Sequence, residues 1–204
     1  AAMEKAGLGR LLIVVEGFDK NQVPREVNHA FFISYRDILN QLDSPLILTL
    51  PLDLLYSEDG SRLPSFHRLV MTDIPVYDRD DMPHIQGREF LVRIVEDRMD
   101  LGLLEEGCLE KAIVASGGVI RTLFRILTEA ATKALVERRK TISVENLDRA
   151  ISQLRVEYKG RLSTPDDEKT GPSYEQKVQR LSDLCADKGK AEQRDRVFAC
   201  LLKI

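Results

Sequence analysis

The sequence predicts a fold in two parts, α/β followed by all-α, and three observations carry that prediction. Residues 11–15 (LLIVV) and 46–50 (LILTL) are short, apolar almost throughout, and separated by a stretch with helical spacing. That is the pattern of parallel strands covered on both faces. Beyond residue 87 every apolar pattern has a helical period. Between the two parts lies YDRDDMPHIQG, residues 77–87, with the charge, Pro and Gly content of a linker.

Taken in order, residues 11–15 form the first expected strand. Residues 24–42 follow as a helix, with Pro24 suited to its first turn and Val27, Phe31, Ile38 and Leu42 near helical spacing. Residues 46–50 are the second strand, and residues 68–76 carry a weaker third strand signal. In the second part, residues 88–99 present Phe90, Leu91, Ile94 and Val95, and residues 104–115 present Leu109, Ile113 and Val114. A long helix follows SGG, capped by Ser116 or a glycine after it, with Ile120, Leu123, Phe124, Leu127, Ala131 and Leu135 on its apolar face. Ser143 caps the next helix, Asn146 stands where a capping box would place Glu, and the stripe is Val144, Leu147, Ile151 and Leu154. Residues 163–173 read as a polar, mobile breaker. Two short helices are expected at 174–186 and 193–202, the last ending on the apolar run VFACLLKI, which either packs back or continues into further chain. The expected domains are therefore 1–78, 87–162 and a C-terminal helical extension, 174–204.

Composition narrows the function. The 204 residues are 43% apolar and 31% charged, as in a globular protein with a real core. Net charge is -3, from 30 basic and 33 acidic residues, which disfavours a general polyanion binder. Tryptophan is absent and aromatics are 6%, which argues against base stacking as a main activity. Cys108, Cys185 and Cys200 form no CxxC pair, and His29, His67 and His84 are scattered, so no zinc-ligand spacing appears. Reduced thiols, no secretory signal and no apolar run near the roughly 20 residues of a membrane span give a cytoplasmic expectation without membrane. No Ser, Cys and His spacing suggests a nucleophilic triad.

Four residues carry candidate chemistry. Glu16 leaves the end of the first strand, with Asp19 beyond Gly17, where ligands of open α/β sheets bind. Two acids there can hold magnesium and polarise water; the competing reading is a solvated strand end followed by an Asp-Lys turn. Thr49 ends the second strand, where a hydroxyl can orient water near a phosphate or simply satisfy backbone. Arg121 falls one turn into the helix after Gly117 and Gly118, placed to clamp a phosphate or to sit on a solvated face, as Arg125 does. The cluster ERRK, residues 137–140, complements a helix C-terminus, with a nucleic-acid contact as the alternative.

In sequence order these features resemble the later half of an AAA+ or STAND-type P-loop ATPase. LLIVVEGFDK looks like a Walker B strand, LILTLP like the following strand with its sensor 1 residue, and ASGGVIRTLFRIL like a lid helix with its sensor 2 arginine. The resemblance covers residues 11–162. It implies a partial parallel sheet of a P-loop core plus a helical lid-like domain. It further implies a metal role for Glu16, catalytic roles for Asp19 and Thr49, a cofactor-binding role for Arg121, and Mg-ATP as the cofactor of the parent protein. Glu16 stands where the family usually has Asp. No G-x-x-x-x-G-K-[ST] occurs; Gly7 and Gly9 lack the Lys and Ser/Thr that would follow. The expectation is thus a fragment of an ATPase coupling nucleotide state to conformational change, with no ATP bound by this chain alone. Its expected partner is a second copy or the N-terminal half of the ATPase core. The alternatives are a non-catalytic scaffold or regulatory module on the same fold, and a helical nucleic-acid-binding domain joined to an ATPase remnant.

Overall fold

Residues 13–15 and 46–48 pair in parallel and in register, Ile13 with Leu46, Val14 with Ile47 and Val15 with Leu48, forming β1 (Ile13–Val15) and β2 (Leu46–Leu48). The structure, a computed structural model, describes residues 11–18, 25–42, 44–64, 66–163, 171–186 and 196–202. It is mostly helical, 61%, with this small two-stranded sheet. The chain divides between Leu69 and Val70 into two units, and residues 171–184 and 196–202 return to the first.

In the first unit the expected helix is helical from Arg25 to Asn40 but not continuous. It runs as α1 (Arg25–His29), a π-helical stretch Ala30–Ser34, and α2 (Arg36–Asn40), with a break at Tyr35. Pro24 lies outside the described residues. The cause is aromatic packing. Phe18 stacks on Phe31 at 4.4 Å and meets Phe32 edge-on at 5.2 Å, so two successive residues must both face the strand exit. A regular helix separates neighbours by about 100°, and the wider π turn reduces that angle. Beyond that stretch the change of register turns Ile38 and Leu42 of the expected stripe outward, while Phe31 stays half-buried against the core. Val27, Ile38 and Leu42 are exposed, while Phe32, Ile33 and Leu39 are buried.

The sheet departs from expectation in the same sense. Only alternate residues face the core, and Val14 and Ile47 stay 54% and 56% exposed, because among the described residues no layer covers the second face of the sheet. Phe32, Ile33, Leu54 and Leu63 form the core, with Leu48, Leu50 and Leu55 against it. Pro51 leads into α3 (Leu52–Leu55), followed by a 3-10 turn, Glu58–Arg62. The apolar C-terminal run packs back: α9 (Arg196–Leu201) lies on α3, with Phe198 edge-on to Tyr56 and Cys200 buried. Its expected start at residues 193–195 and its last two residues lie outside the described residues, as do residues 164–170 of the expected mobile breaker. The expected strand at 68–76 does not form.

The second unit is built from α4 (Ile85–Glu96), α5 (Cys108–Ser116), α6 (Ile120–Val136) and α7 (Val144–Ser163). α8 (Tyr174–Ala186) follows them in the chain. Their core includes Leu91, Val95, Ile113, Leu123, Ile126, Leu147 and Ile151. Cys108 is buried there, its Sγ 3.4 Å from the Ile142 carbonyl. α5 begins later than its apolar pattern suggests because residues 103–105 are used in a bridge to Ile142. The Ile142 amide donates to Leu103 and the Glu105 amide to Ile142. On α6 the buried face is Thr122, Leu123, Ile126, Leu127, Ala130 and Ala134, rotated from the expected one. The small Ala130 and Ala134 face the packed side, and Leu135 is 73% exposed.

Both ends of the loop joining α6 to α7 are closed by local hydrogen bonds. Arg138 takes a left-handed conformation (φ 57°), its amide donates to Leu135 and the Arg139 amide to Ala134, which is a Schellman motif with an arginine where glycine is usual. At the start of α7 the capping box forms with Asn146 in place of Glu. The Ser143 amide and hydroxyl both donate to Asn146 Oδ1, and the Asn146 amide donates to Ser143 Oγ. Asn146 Nδ2 then donates to Glu137 Oε2 at 3.0 Å, which joins the two caps.

Candidate functional site

The parallel register sets Glu16 and Thr49 as the residues leaving β1 and β2 at the same edge of the sheet. Thr49 is fixed there from both sides. Its amide donates to Val15 at 3.1 Å, and its Oγ1 accepts from the amides of Gly17 (3.0 Å) and Phe18 (3.2 Å). Gly17 has φ 99°, a conformation closed to most side chains, and this turns the chain so that two successive amides reach one hydroxyl. Glu16 is exposed at that edge. Asp19 lies outside the described residues.

Behind the strand exit, Asn28 is 8% exposed and its Nδ2 donates to the Phe18 carbonyl at 3.3 Å. Its Oδ1 is buried without a hydrogen-bond partner. Next to it His29 Nε2 lies 3.2 Å from Asp59 Oδ2, and Arg62 donates to Asp59 Oδ1 at 3.0 Å. The Arg62 hydrogen bond, foremost, and the hydrogen bond and charge of His29 hold the Asp59 carboxyl below its ordinary range. Neither Asn28 nor this His-Asp-Arg cluster is marked in the sequence. His29 and Asp59 are 30 positions apart, and no periodic signal links a helix end to a 3-10 turn.

Arg121 belongs to the second unit, exposed in the first turn of α6. The SGG segment before it is a tight turn. Ser116 Oγ donates to the Ile113 carbonyl and accepts from the Gly118 amide, and α6 starts from Val119 without a side-chain cap, so Ser116 does not cap this helix as expected. Gly118 (φ 88°) lies so close to the Ile74 carbonyl that a Cβ would come within 1.7 Å of it. Arg125 is held by Glu157. In ERRK, Glu137 accepts from Asn146 and pairs with Arg139 and Arg149. The Asn146 hydrogen bond, followed by the charges of Arg149 and Arg139, keeps its carboxyl below the usual range.

The structure therefore brings Glu16 and Thr49 together and puts Arg121 on a different unit. Among the described residues no three His, Cys, Asp or Glu side chains converge as a metal set, and no helix is long and apolar enough to cross a membrane. No family model, curated protein or solved structure matches this chain.

Proposed function

We propose that this chain is the acid-strand, sensor and lid portion of a P-loop ATPase that couples nucleotide state to conformational change. The observation that carries the reading is the parallel pairing of β1 with β2, which delivers Glu16 and Thr49 to one sheet edge. Ligands of open α/β sheets bind at that edge. The resemblance adds Asp19 as the residue acting on water and Arg121 as the cation that offsets phosphate charge. Glu16 and Asp19 have the hard oxygen donors magnesium takes. The chain has no glycine-rich cradle with its lysine, so the phosphate-binding wall must come from a preceding segment of the parent protein or from a partner.

The test is ATP turnover by the parent polypeptide carrying a phosphate loop, expected about 50 to 150 residues upstream of Leu11 from the usual size of a nucleotide domain. Asp19→Asn should lower turnover roughly 100- to 1,000-fold, the usual effect of removing one preorganised group, with ATP affinity kept. Turnover at the parental rate would refute the reading. One observation favours a second reading, a non-catalytic scaffold on the same fold. The Thr49 hydroxyl already accepts two backbone amides, which is a complete structural use. On that reading ATP neither binds to nor changes the parent.

A further inference from the structure

We propose that residues 69–73 are one joint of this chain, the first in sequence, and that residues 74–84 form a lever fixed to the helical unit, carrying motion of that joint to the helix of Arg121. The two flanks of the joint are anchored differently. On one side Arg68 donates to the Gly60 carbonyl at 3.4 Å, within the first unit. On the other side Ile74 and Pro75 press backbone onto backbone. Their carbonyls occupy the space of side chains that Gly118 and Gly87 lack, within 1.7 Å and 2.0 Å of where each Cβ would stand. Between these anchors residues 69–73 lie in no helix or strand, with Leu69 82% and Met71 88% exposed.

The segment after the joint has the composition of a linker but the bonding of a folded element. Val76 is 4% exposed and part of the helical core. Its carbonyl accepts from Arg88 Nε at 2.9 Å and from the His84 amide at 3.0 Å. The Arg88 guanidinium lies 4.6 Å over the Tyr77 ring and pairs with Glu110 on α5. The turn is closed by the Asp78 amide donating to Met82, and by Asp78 Oδ1 accepting from the amides of Asp80 and Met82. His84 Nδ1 then accepts from the Gly87 amide and starts α4. Ile74 is thus wedged against the turn three residues before Arg121. Rotation that begins at residues 69–73 cannot be absorbed by residues 74–84 and must move α4, the SGG turn and α6 together. This inference rests on the packing of the helical unit and needs no nucleotide, so it stands or falls apart from the ATPase reading.

Hydrogen exchange read residue by residue on the whole chain tests it. Amides of residues 69–73 should exchange like unprotected chain, while those of Asp78 and His84 should be protected together with α4. Gly118→Ala should accelerate Asp78 and His84 by about tenfold or more while the α7 amides keep their protection, as expected for a local opening. Arg88→Met removes the bond to Val76 without touching backbone and should act in the same direction, which covers the case that Gly118→Ala does not fold. Asp78 and His84 exchanging as fast as residues 69–73 in the unaltered chain, or remaining unmoved in the folded variants, would overturn the lever.

Discussion

The two units solve the same burial problem with unequal means. The helical unit closes a core of sixteen buried residues among those described, from Val76 to Leu154, and most of it comes from helices neighbouring in sequence. Among the described residues the α/β unit gathers a cluster of four beside its aromatic rings and leaves Val14 and Ile47 half exposed on the second face of its sheet. The lesson is about autonomy. An amphipathic helix completes its core with the next helix along the chain, whereas a parallel strand needs further strands and covering layers. Two strands cannot supply these.

The comparison breaks first on core truncation. Leu147→Ala, at a site with no exposure in the helical unit, should cost about 2–5 kcal/mol through lost burial and a cavity. Ile47→Ala, with its side chain more than half exposed, should cost under about 1 kcal/mol in chemical denaturation of the same chain. Equal losses would show that the sheet face is covered in solution.

Thr49 sharpens the comparison inside the weaker unit. Thr49→Val leaves the Gly17 and Phe18 amides without their shared acceptor and should destabilise the first unit by about 1–3 kcal/mol. Thr49→Ser keeps the acceptor and should cost less. If valine is tolerated as well as serine, the hydroxyl is not what holds the strand exit.

A modest effect belongs to the linked caps of the helical unit. Ser143→Ala should cost about 1 kcal/mol, the usual value of an N-cap. Glu137 adds a pH dependence of known sign. Its folded value is depressed, so its contribution is present above the unfolded carboxyl value of about 4.3 and is lost as pH falls through the folded value. Removing the main cause with Asn146→Ala should reduce that acid-side loss in a melting-temperature series against pH.

Sequence reasoning located the helices of the second part well, because period and capping are local properties. Ser143 with Asn146 marked a cap that does form, and Leu147, Ile151 and Leu154 of the expected stripe face inward, whereas Val144 is exposed. It misplaced faces wherever packing chose between near-equivalent registers. α6 turns so that Ala130 and Ala134 are buried, and the π turn at Ala30–Ser34 serves rings it could not foresee. For the candidate site, strand order was enough to place Glu16 beside Thr49. The double acceptance at Thr49 links residues 31 and 32 positions apart and depends on the conformation of Gly17, which no residue pattern encodes. The linker reading of residues 77–87 erred for a related reason. Charge and Pro describe the exposed turn, while its attachment depends on Pro75 meeting Gly87 and Val76 meeting Arg88.

The placement of the three thiols has a practical consequence. Cys185 is exposed, Cys108 is buried in the helical unit, and Cys200 is buried where the C-terminal helix lies on α3. Burial, foremost, and the negative charge of Glu105 push the Cys108 thiol above its ordinary value, which slows its reaction further. Each unit thus carries one concealed reporter. With Cys185 replaced by serine, the alkylation rate of Cys200 times the opening of the first unit and that of Cys108 the opening of the second, so one label reads two clocks in one molecule.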